Sequence, residues 1–377
     1  MLALAWRFIR FDRAKSIGVV TAVVISIFLI GQQLSLLFFL MGLMGNLVGN
    51  APVSTADVWI IERQSNNINS VNAIDRRFVQ EIASLPSVQS TSPVVVTSGQ
   101  ASFLDGNTAP VTIVGSEAPF FLAGPVDRKI MSGTRTRLLE PEVVSAEFFS
   151  AKNWGTNLVL DKPIEINGKR AKIGLITKNA QGFGASLMYS TLANARHYGS
   201  LAPSKVSIII ARLHDGVDKA DAIKEINNFF PHLQAWDAEK LQQSTVKEIL
   251  IASNMGMSFG TLVLFAMLSG FFIIGLTLYS SALDRIKDYG TLKAMGARNS
   301  YVDKLIIAQA FLYALLGYVV ALLLLFGFKM GVAKSGLLID ISIPFALFLL
   351  LVTLLISIGG SLFAVRKIAK LEPAAVF

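Results

Sequence analysis

The chain has 377 residues, 53% of them hydrophobic, and a mean hydropathy of +0.56, above the roughly 45–50% apolar content usual for a soluble protein. It has no cysteine, which excludes a disulfide framework and a thiolate metal site. The net charge of +9 does not signal nucleic acid: residues 44–250 hold 20 Lys/Arg against 19 Asp/Glu, and the other 14 basic residues, facing only 6 acidic ones, lie beside apolar blocks, as flanks of membrane helices do.

Residues 1–16 interleave Arg7, Arg10, Arg13 and Lys15 with apolar side chains and read as an amphipathic segment. Residues 17–43 carry no charge. As a helix this block rises roughly 40 Å, more than the roughly 30 Å of bilayer hydrocarbon, so it must tilt or project as a stalk. A cleavable signal peptide would have an apolar core of only about 7–15 residues; an uncleaved first span is expected. Gln32 and Gln33 are its strongest polar break. They read as packing glue that bonds across helices, with a substrate contact as the alternative.

Residues 44–248 are too long and too polar for a loop and must fold as a domain. Strand-like runs are Asp57–Glu62, Val94–Thr97, Val111–Val114, Pro163–Ile166 and Val206–Ala211. Helix-like runs are Ala73–Ser84, with Ile74, Phe78 and Ile82 on one face, and Lys219–Phe230, with Ile223, Ile226 and Phe230. Pro86 and Pro231 stop them. The middle, about residues 98–205, reads as mostly strand and loop, with a loop at Gly182–Gly184. Asp237–Lys247 meets no breaker before the next apolar block, so a stalk helix continuous with the second span is expected.

The remaining spans are expected at 249–283, 305–328 and 344–365. Gly256/Gly260, Ala310/Ala314 and Gly317/Ala321 place small residues four apart, which permits close helix packing within the protomer or between copies. The N-terminal flank, the loop 284–304 and the tail 366–377 hold 12 Lys/Arg, against 2 in the loop 329–343. The positive-inside rule therefore puts both termini in the cytoplasm and residues 44–248 outside.

Several chemistries are missing from the sequence. No G-x-x-x-x-G-K-[ST] occurs; Asn167-Gly168-Lys169-Arg170 lacks the first glycine and the hydroxyl residue. His197, His214 and His232 share no ligand spacing, and no G-x-S-x-G is present. No charge lies deep in a span, where an ion-coupled transporter usually needs one. No catalytic, cofactor-binding or metal-ligating set is expected.

The loop 284–304 is the most informative stretch. Ile286, Tyr289, Leu292 and Met295 recur every three residues, an apolar stripe for a short helix, with Arg285, Lys287, Asp288 and Lys293 around it and Gly296 as its stop. Ser300 with Asp303 reads as a capping box for the third span. Such a helix can lie in the lipid interface or dock a cytoplasmic partner.

The string Arg285-Ile-Lys-Asp-Tyr-Gly-Thr-Leu-Lys-Ala-Met-Gly-Ala297 resembles the signature of MacB/FtsX-type ABC permeases, with Asp288 where that family has Glu. The tail Arg366–Phe377, ending Pro-Ala-Ala-Val-Phe, is similar to that family's C-terminus, and the two together are most similar to its DevC branch. The resemblance implies an α-helical membrane protein with four transmembrane helices and a large α+β periplasmic domain inserted between the first and second. It implies that Arg285, Ile286, Asp288, Tyr289, Leu292, Lys293, Met295 and Gly296 form a coupling helix on an ABC ATPase subunit, which binds the ATP and Mg. It further implies a permease homodimer in the bacterial inner membrane among membrane lipid, a HlyD-type periplasmic adaptor and a TolC-like outer-membrane channel. The expected function is mechanotransmission in a tripartite efflux pump of the type VII ABC class. The alternatives are a lipoprotein-releasing permease or a non-transporting FtsX-like regulator of a periplasmic cell-wall hydrolase.

Overall fold

The computed structural model describes residues 2–11, 13–52, 56–65, 67–284, 287, 291 and 299–369. They form two compact units, Leu40–Asn254 and a second made of Met1–Phe39 with Met255–Phe377.

The chain opens with helices α1 (Leu2–Phe11) and α2 (Arg13–Met44), then a single turn, α3 (Asn46–Gly49). An α+β domain follows. Its strands are β1 (Val58–Glu62), β2 (Ile74–Asp75), β3 (Val88–Phe103), β4 (Thr108–Ser116), β5 (Ile130–Gly133), β6 (Val143–Glu147), β7 (Pro163–Ile166), β8 (Lys169–Thr177), β9 (Ser186–Thr191), β10 (Lys205–Val206), β11 (Ile208–Leu213) and β12 (Leu233–Asp237). Its helices are α4 (Arg77–Ala83), α5 (Phe148–Asn153), α6 (Leu192–Gly199), α7 (Lys219–Phe229) and α8 (Ala238–Ala252).

The main sheet runs β12-β1-β11-β3-β7-β8-β5, with β4 between β3 and β9 and with β6 on β8. β1 reads Val-Trp-Ile-Ile-Glu and is paired antiparallel on both edges, to β11 and β12. Successive side chains point to opposite faces of a strand. Val58 and Ile60 accordingly pack with Ile82 of α4 and Ala222 and Ile226 of α7, while Trp59 and Ile61 join Leu47 of α3 and Leu241 of α8. β3 is 16 residues long. It pairs β11 from Val88 to Val94, then β4 from Val94 to Ser102, and its end meets β7, so it belongs to both halves of the sheet. A separate core of Val111, Ile113, Ile173, Ala195 and Tyr198 fills the second half under α6.

Local chemistry starts these helices. Asp218 accepts hydrogen bonds from the Ala220 and Asp221 amides ahead of α7, Asp237 from those of Glu239 and Lys240 ahead of α8, and the Thr191 hydroxyl from that of Asn194 in α6. Four of the five expected strand runs fall on one strand each, Val206–Ala211 is divided between β10 and β11, and each expected helix run contains a helix. Three details differ. Helix α4 begins at Arg77, because Ile74 and Asp75 pair with Val206 and Lys205 and the Asp75 carboxylate takes the Arg77 amide. Ile74 is therefore a strand residue and not on the α4 face. Helix α6 lies in the middle stretch expected to be strand and loop. The stalk helix is not continuous with the second span. α8 ends at Ala252, the Ser253 amide and hydroxyl both bond the Ile249 carbonyl, and Asn254 takes a left-handed φ of 54° before the next helix starts at Met255. Asn is one of the few residues that adopts that conformation cheaply at a helix end.

The helical unit is completed by α9 (Met255–Asp284), α10 (Asn299–Ala333) and α11 (Ile343–Ala369). Together with α2 these give four helices long and apolar enough to cross a membrane. α10 already includes Asn299, so Ser300 lies inside the helix instead of capping it. The bundle core joins Val19, Val23, Ile27 and Ile30 of α2 to Leu278 of α9, Ala310 and Ala321 of α10 and Leu349 and Val352 of α11.

The small-residue pairs separate into two kinds. A Cβ on Gly317 would lie 2.5 Å from Val23 Cγ1, so α10 and α2 approach as closely as glycine allows, and Ala310, Ala314 and Ala321 on α10 are fully buried. A Cβ on Gly260 of α9 would meet nothing within 4 Å. Polar side chains along the bundle bond its backbone: the Tyr318 hydroxyl donates to the Ala346 carbonyl at 2.8 Å, and Ser16 donates to the Ile9 carbonyl at 2.8 Å. Without water in hydrocarbon, such groups need internal partners.

Candidate partner-docking site and the inserted domain

The expected coupling residues Arg285, Ile286, Asp288, Tyr289, Leu292, Lys293, Met295 and Gly296 lie outside the described residues. Their frame is described. The last described residue of α9, Asp284, pairs through its carboxylate with the Lys15 ammonium at the start of α2. Lys287 and Thr291 are helical and exposed, and α10 resumes at Asn299. α1 packs against the first turns of α10, where Ala5, Leu305 and Ile306 are buried with Leu4, Phe8 and Ala308 around them. The Ser16–Tyr313 hydroxyl contact at 2.9 Å ties the α2 start to α10 one turn further in. The described residues on either side of that string, Asp284 of α9 and Leu305, Ile306 and Tyr313 of α10, are thus each in contact with α1 or α2. Gln32 and Gln33 are half-buried on α2, beside Gly31, whose Cβ position is filled by Leu325 of α10.

In the inserted domain, His197, His214 and His232 are all exposed and stand on different elements. Among the described residues no group of three or more His, Cys, Asp or Glu side chains converges on a metal-sized site. Two open clefts of about 600 and 540 Å³ lie on it. One is lined by Asp75, Arg76, Arg77 and Glu117, the other by Glu142, Asp161, Arg170 and Lys172. In each, one acidic side chain is paired: Asp75 with Arg77, Asp161 with Arg137. The adjoining guanidinium holds both carboxyls below the usual carboxylate range; for Asp75 the Arg77 amide contributes most.

A buried polar cluster centred on Asn50 was not visible to sequence reasoning. Asn50 follows α3 and is fully buried. Its Nδ2 donates to the Tyr189 hydroxyl at 2.7 Å and to the Ala180 carbonyl at 3.2 Å, its Oδ1 accepts from Lys129 Nζ, and its carbonyl accepts the Val126 amide at 3.0 Å. One side chain therefore ties α3 to β9, to the loop after β8 and to the segment before β5. Burial lowers the Lys129 pKa, with Arg128 adding to the effect, and burial raises that of the Tyr189 phenol. Nearby, the fully buried Glu147 takes the Ser150 amide at 2.8 Å and the Asn179 amide at 3.0 Å, and burial still raises its pKa. The only sequence signal was a lone Asn between Gly49 and Ala51, which reads as an ordinary helix end.

A bundle of four apolar helices with a sheet-rich domain inserted between the first and second defines an integral membrane protein. Family models match on both sides of the chain: the MacB-like periplasmic core domain over residues 16–229 and the FtsX-like permease C-terminal over residues 260–373. The chain belongs to the MacB/FtsX-type permease family. Among solved structures it is similar to the periplasmic region of MacB from Actinobacillus actinomycetemcomitans, at 13% identity and a TM-score of 0.38, covering 50% of this chain and 92% of that one. It is similar too to the extracellular domain of the noncanonic ABC-type transporter YknZ from Gram-positive bacteria, at 14% identity and a TM-score of 0.35, covering 48% of this chain and 100% of that one. A search of curated proteins finds no match to the sequence.

Proposed function

We propose that this chain is the permease subunit of an ATP-driven MacB-like (type VII) exporter, of the DevC branch, and that it passes motion from a cytoplasmic ATPase subunit to its periplasmic domain. The observation that carries the reading is the family membership combined with the string Arg285–Ala297 between α9 and α10, in a sequence that has no phosphate-binding loop of its own. ATP and Mg bind the partner. Both termini and the loop 284–304 face the cytoplasm, supported by the 12-to-2 distribution of Lys/Arg. Two copies work as a homodimer, with a HlyD-type adaptor and a TolC-like channel completing a tripartite pump. The homodimer is supported by the open Gly260 position and by the outward Leu264, Phe265 and Leu268 of α9.

Tyr289, Leu292 and Met295 are the anchors that enter the ATPase, and Arg285, Asp288 and Lys293 set orientation. Apolar anchors at the centre of an interface cost about 2 kcal/mol or more on truncation, whereas rim charges act mainly on association rate. Changing Tyr289, Leu292 and Met295 together to Ala is expected to strip the ATPase from affinity-purified permease at unchanged membrane expression. Recovery of the ATPase at the wild-type ratio would mean that the segment is only a lipid-interface helix.

A further inference from the structure

We propose that the outward face of α1, with the first residue of α2, is a binding surface for anionic phospholipid headgroups: Trp6 and Phe11 enter the bilayer interface while Arg7, Arg10 and Arg13 hold phosphate. α1 has two distinct faces. Ala5 and Ile9 are buried, and Leu4 and Phe8 pack against Leu305, Ile306 and Ala308. On the other side Trp6 is 46% and Phe11 92% exposed, and Arg7, Arg10 and Arg13 are exposed beside them. Residues three and four apart share a helix face, so the 6-7-10-11 spacing sets two aromatics and two guanidinium groups side by side.

Three observations choose the occupant. First, α2 starts at Arg13 and is a membrane span, so the face sits where a span leaves the hydrocarbon. Second, the exposed apolar surface continues directly into α2 through Ile17, Ile25 and Leu29, at 65%, 54% and 41% exposure. The aromatics of α1 thus border lipid-facing surface, and Trp is enriched at that depth. Third, the charge is predominantly basic. Residues 2–13 contain Arg7, Arg10 and Arg13 against a single acidic residue, Asp12. Guanidinium matches phosphate oxygens in a bidentate fork.

The chain has no cysteine, so single sites can be labelled without background. The full chain carrying Phe11→Cys, labelled with bimane, would be reconstituted in nanodiscs of phosphatidylcholine with 20% phosphatidylglycerol. Trace nitroxide-headgroup phosphatidylglycerol or phosphatidylcholine then serves as quencher. Leu347→Cys, on the exposed apolar face of α11, is the reference. The label at position 11 is expected to be quenched by both tracers, and more by phosphatidylglycerol. A basic side chain near an anionic surface contributes about 1 kcal/mol, a factor of about five. The change Arg7→Gln, Arg10→Gln and Arg13→Gln should therefore remove the phosphatidylglycerol excess, as should raised salt, while the reference stays unchanged. Equal quenching by both tracers in the unsubstituted helix would overturn the headgroup preference. Absence of lipid quenching at position 11, with shielding only after an ATPase subunit is added, would overturn the proposal in favour of a protein-docking face.

Discussion

Replacing Asn50 by alanine tests whether a single buried amide holds α3 to the second half of the sheet. The variant loses two neutral hydrogen bonds, to the Tyr189 hydroxyl and the Ala180 carbonyl, and it removes the acceptor of the half-buried Lys129 ammonium. A neutral bond contributes about 1 kcal/mol net, and a bond to a charged group about 1.5–3 kcal/mol. Lys129 recovers part of its loss by turning toward water, so the cost is about 3 kcal/mol. At about 1.4 kcal/mol per decade, amides protected by these contacts should exchange roughly a hundredfold faster. Hydrogen exchange read by mass spectrometry on the full chain should show this at β9 and at Val126, and not at α7, whose Ala222 and Ile226 pack in a different core. Asn50→Asp, which keeps the acceptor for Lys129 but loses both donors, should fall between the two. Tyr189→Phe should cost less in the alanine background than in the wild type, because the partner is already gone. Exchange at β9 within about twofold of wild type, with α3 still helical, would refute the role assigned to Asn50.

Glu147 should give the inserted domain an unusual pH response. Burial raises its folded pKa above the ordinary 4.5, so between 4.5 and that raised value the folded state binds more protons than the unfolded one. Its contribution to stability therefore falls as pH rises through the window. Glu147→Gln should flatten the pH dependence of the domain's thermal midpoint there, and an unchanged slope would count against it. In the bundle, Gly317→Leu should cost on the order of 1–3 kcal/mol, because its Cβ alone would come 2.5 Å from Val23 Cγ1 and the α2 backbone at Val20 stands 3.4 Å away. Melting of the detergent-solubilised protomer should drop for Gly317→Leu and hold for Gly260→Leu, whose Cβ meets nothing within 4 Å.

The spans were legible because each is a one-dimensional signal: a long run without charge, bracketed by arginine and lysine. β1 and α7 were legible for a similar reason. Val-Trp-Ile-Ile leaves little but a strand buried on both faces, and Asp218 and Pro231 bracket α7. α6 was not legible, because its eight residues bury only Ala195 and Tyr198, too short a stripe to show a period. The break between α8 and α9 did carry a signal, Ser253-Asn254, but no proline or glycine marks it, and the apolar content on both sides masks it. Strand order is a different matter. β1 lies between β11 and β12, a pairing that depends on which faces find each other in three dimensions.

The two candidate sites show the same division. The string 285–297 is a local pattern, and resemblance plus a three-residue spacing suffice to single it out as a candidate. Asn50 has no local pattern: its partners lie 79, 130 and 139 residues away. A leucine at position 50 would meet the expectations of burial just as well, and by area alone could hold α3 in place. It could not distinguish one arrangement of the segments around it from a neighbouring one. Three polar partners approaching from the segment before β5, the loop after β8 and β9 can all be satisfied in only one geometry, since a shift in any of them leaves a buried donor or acceptor unpaired at about 1–3 kcal/mol. An apolar contact carries no such penalty and would let the segments slide.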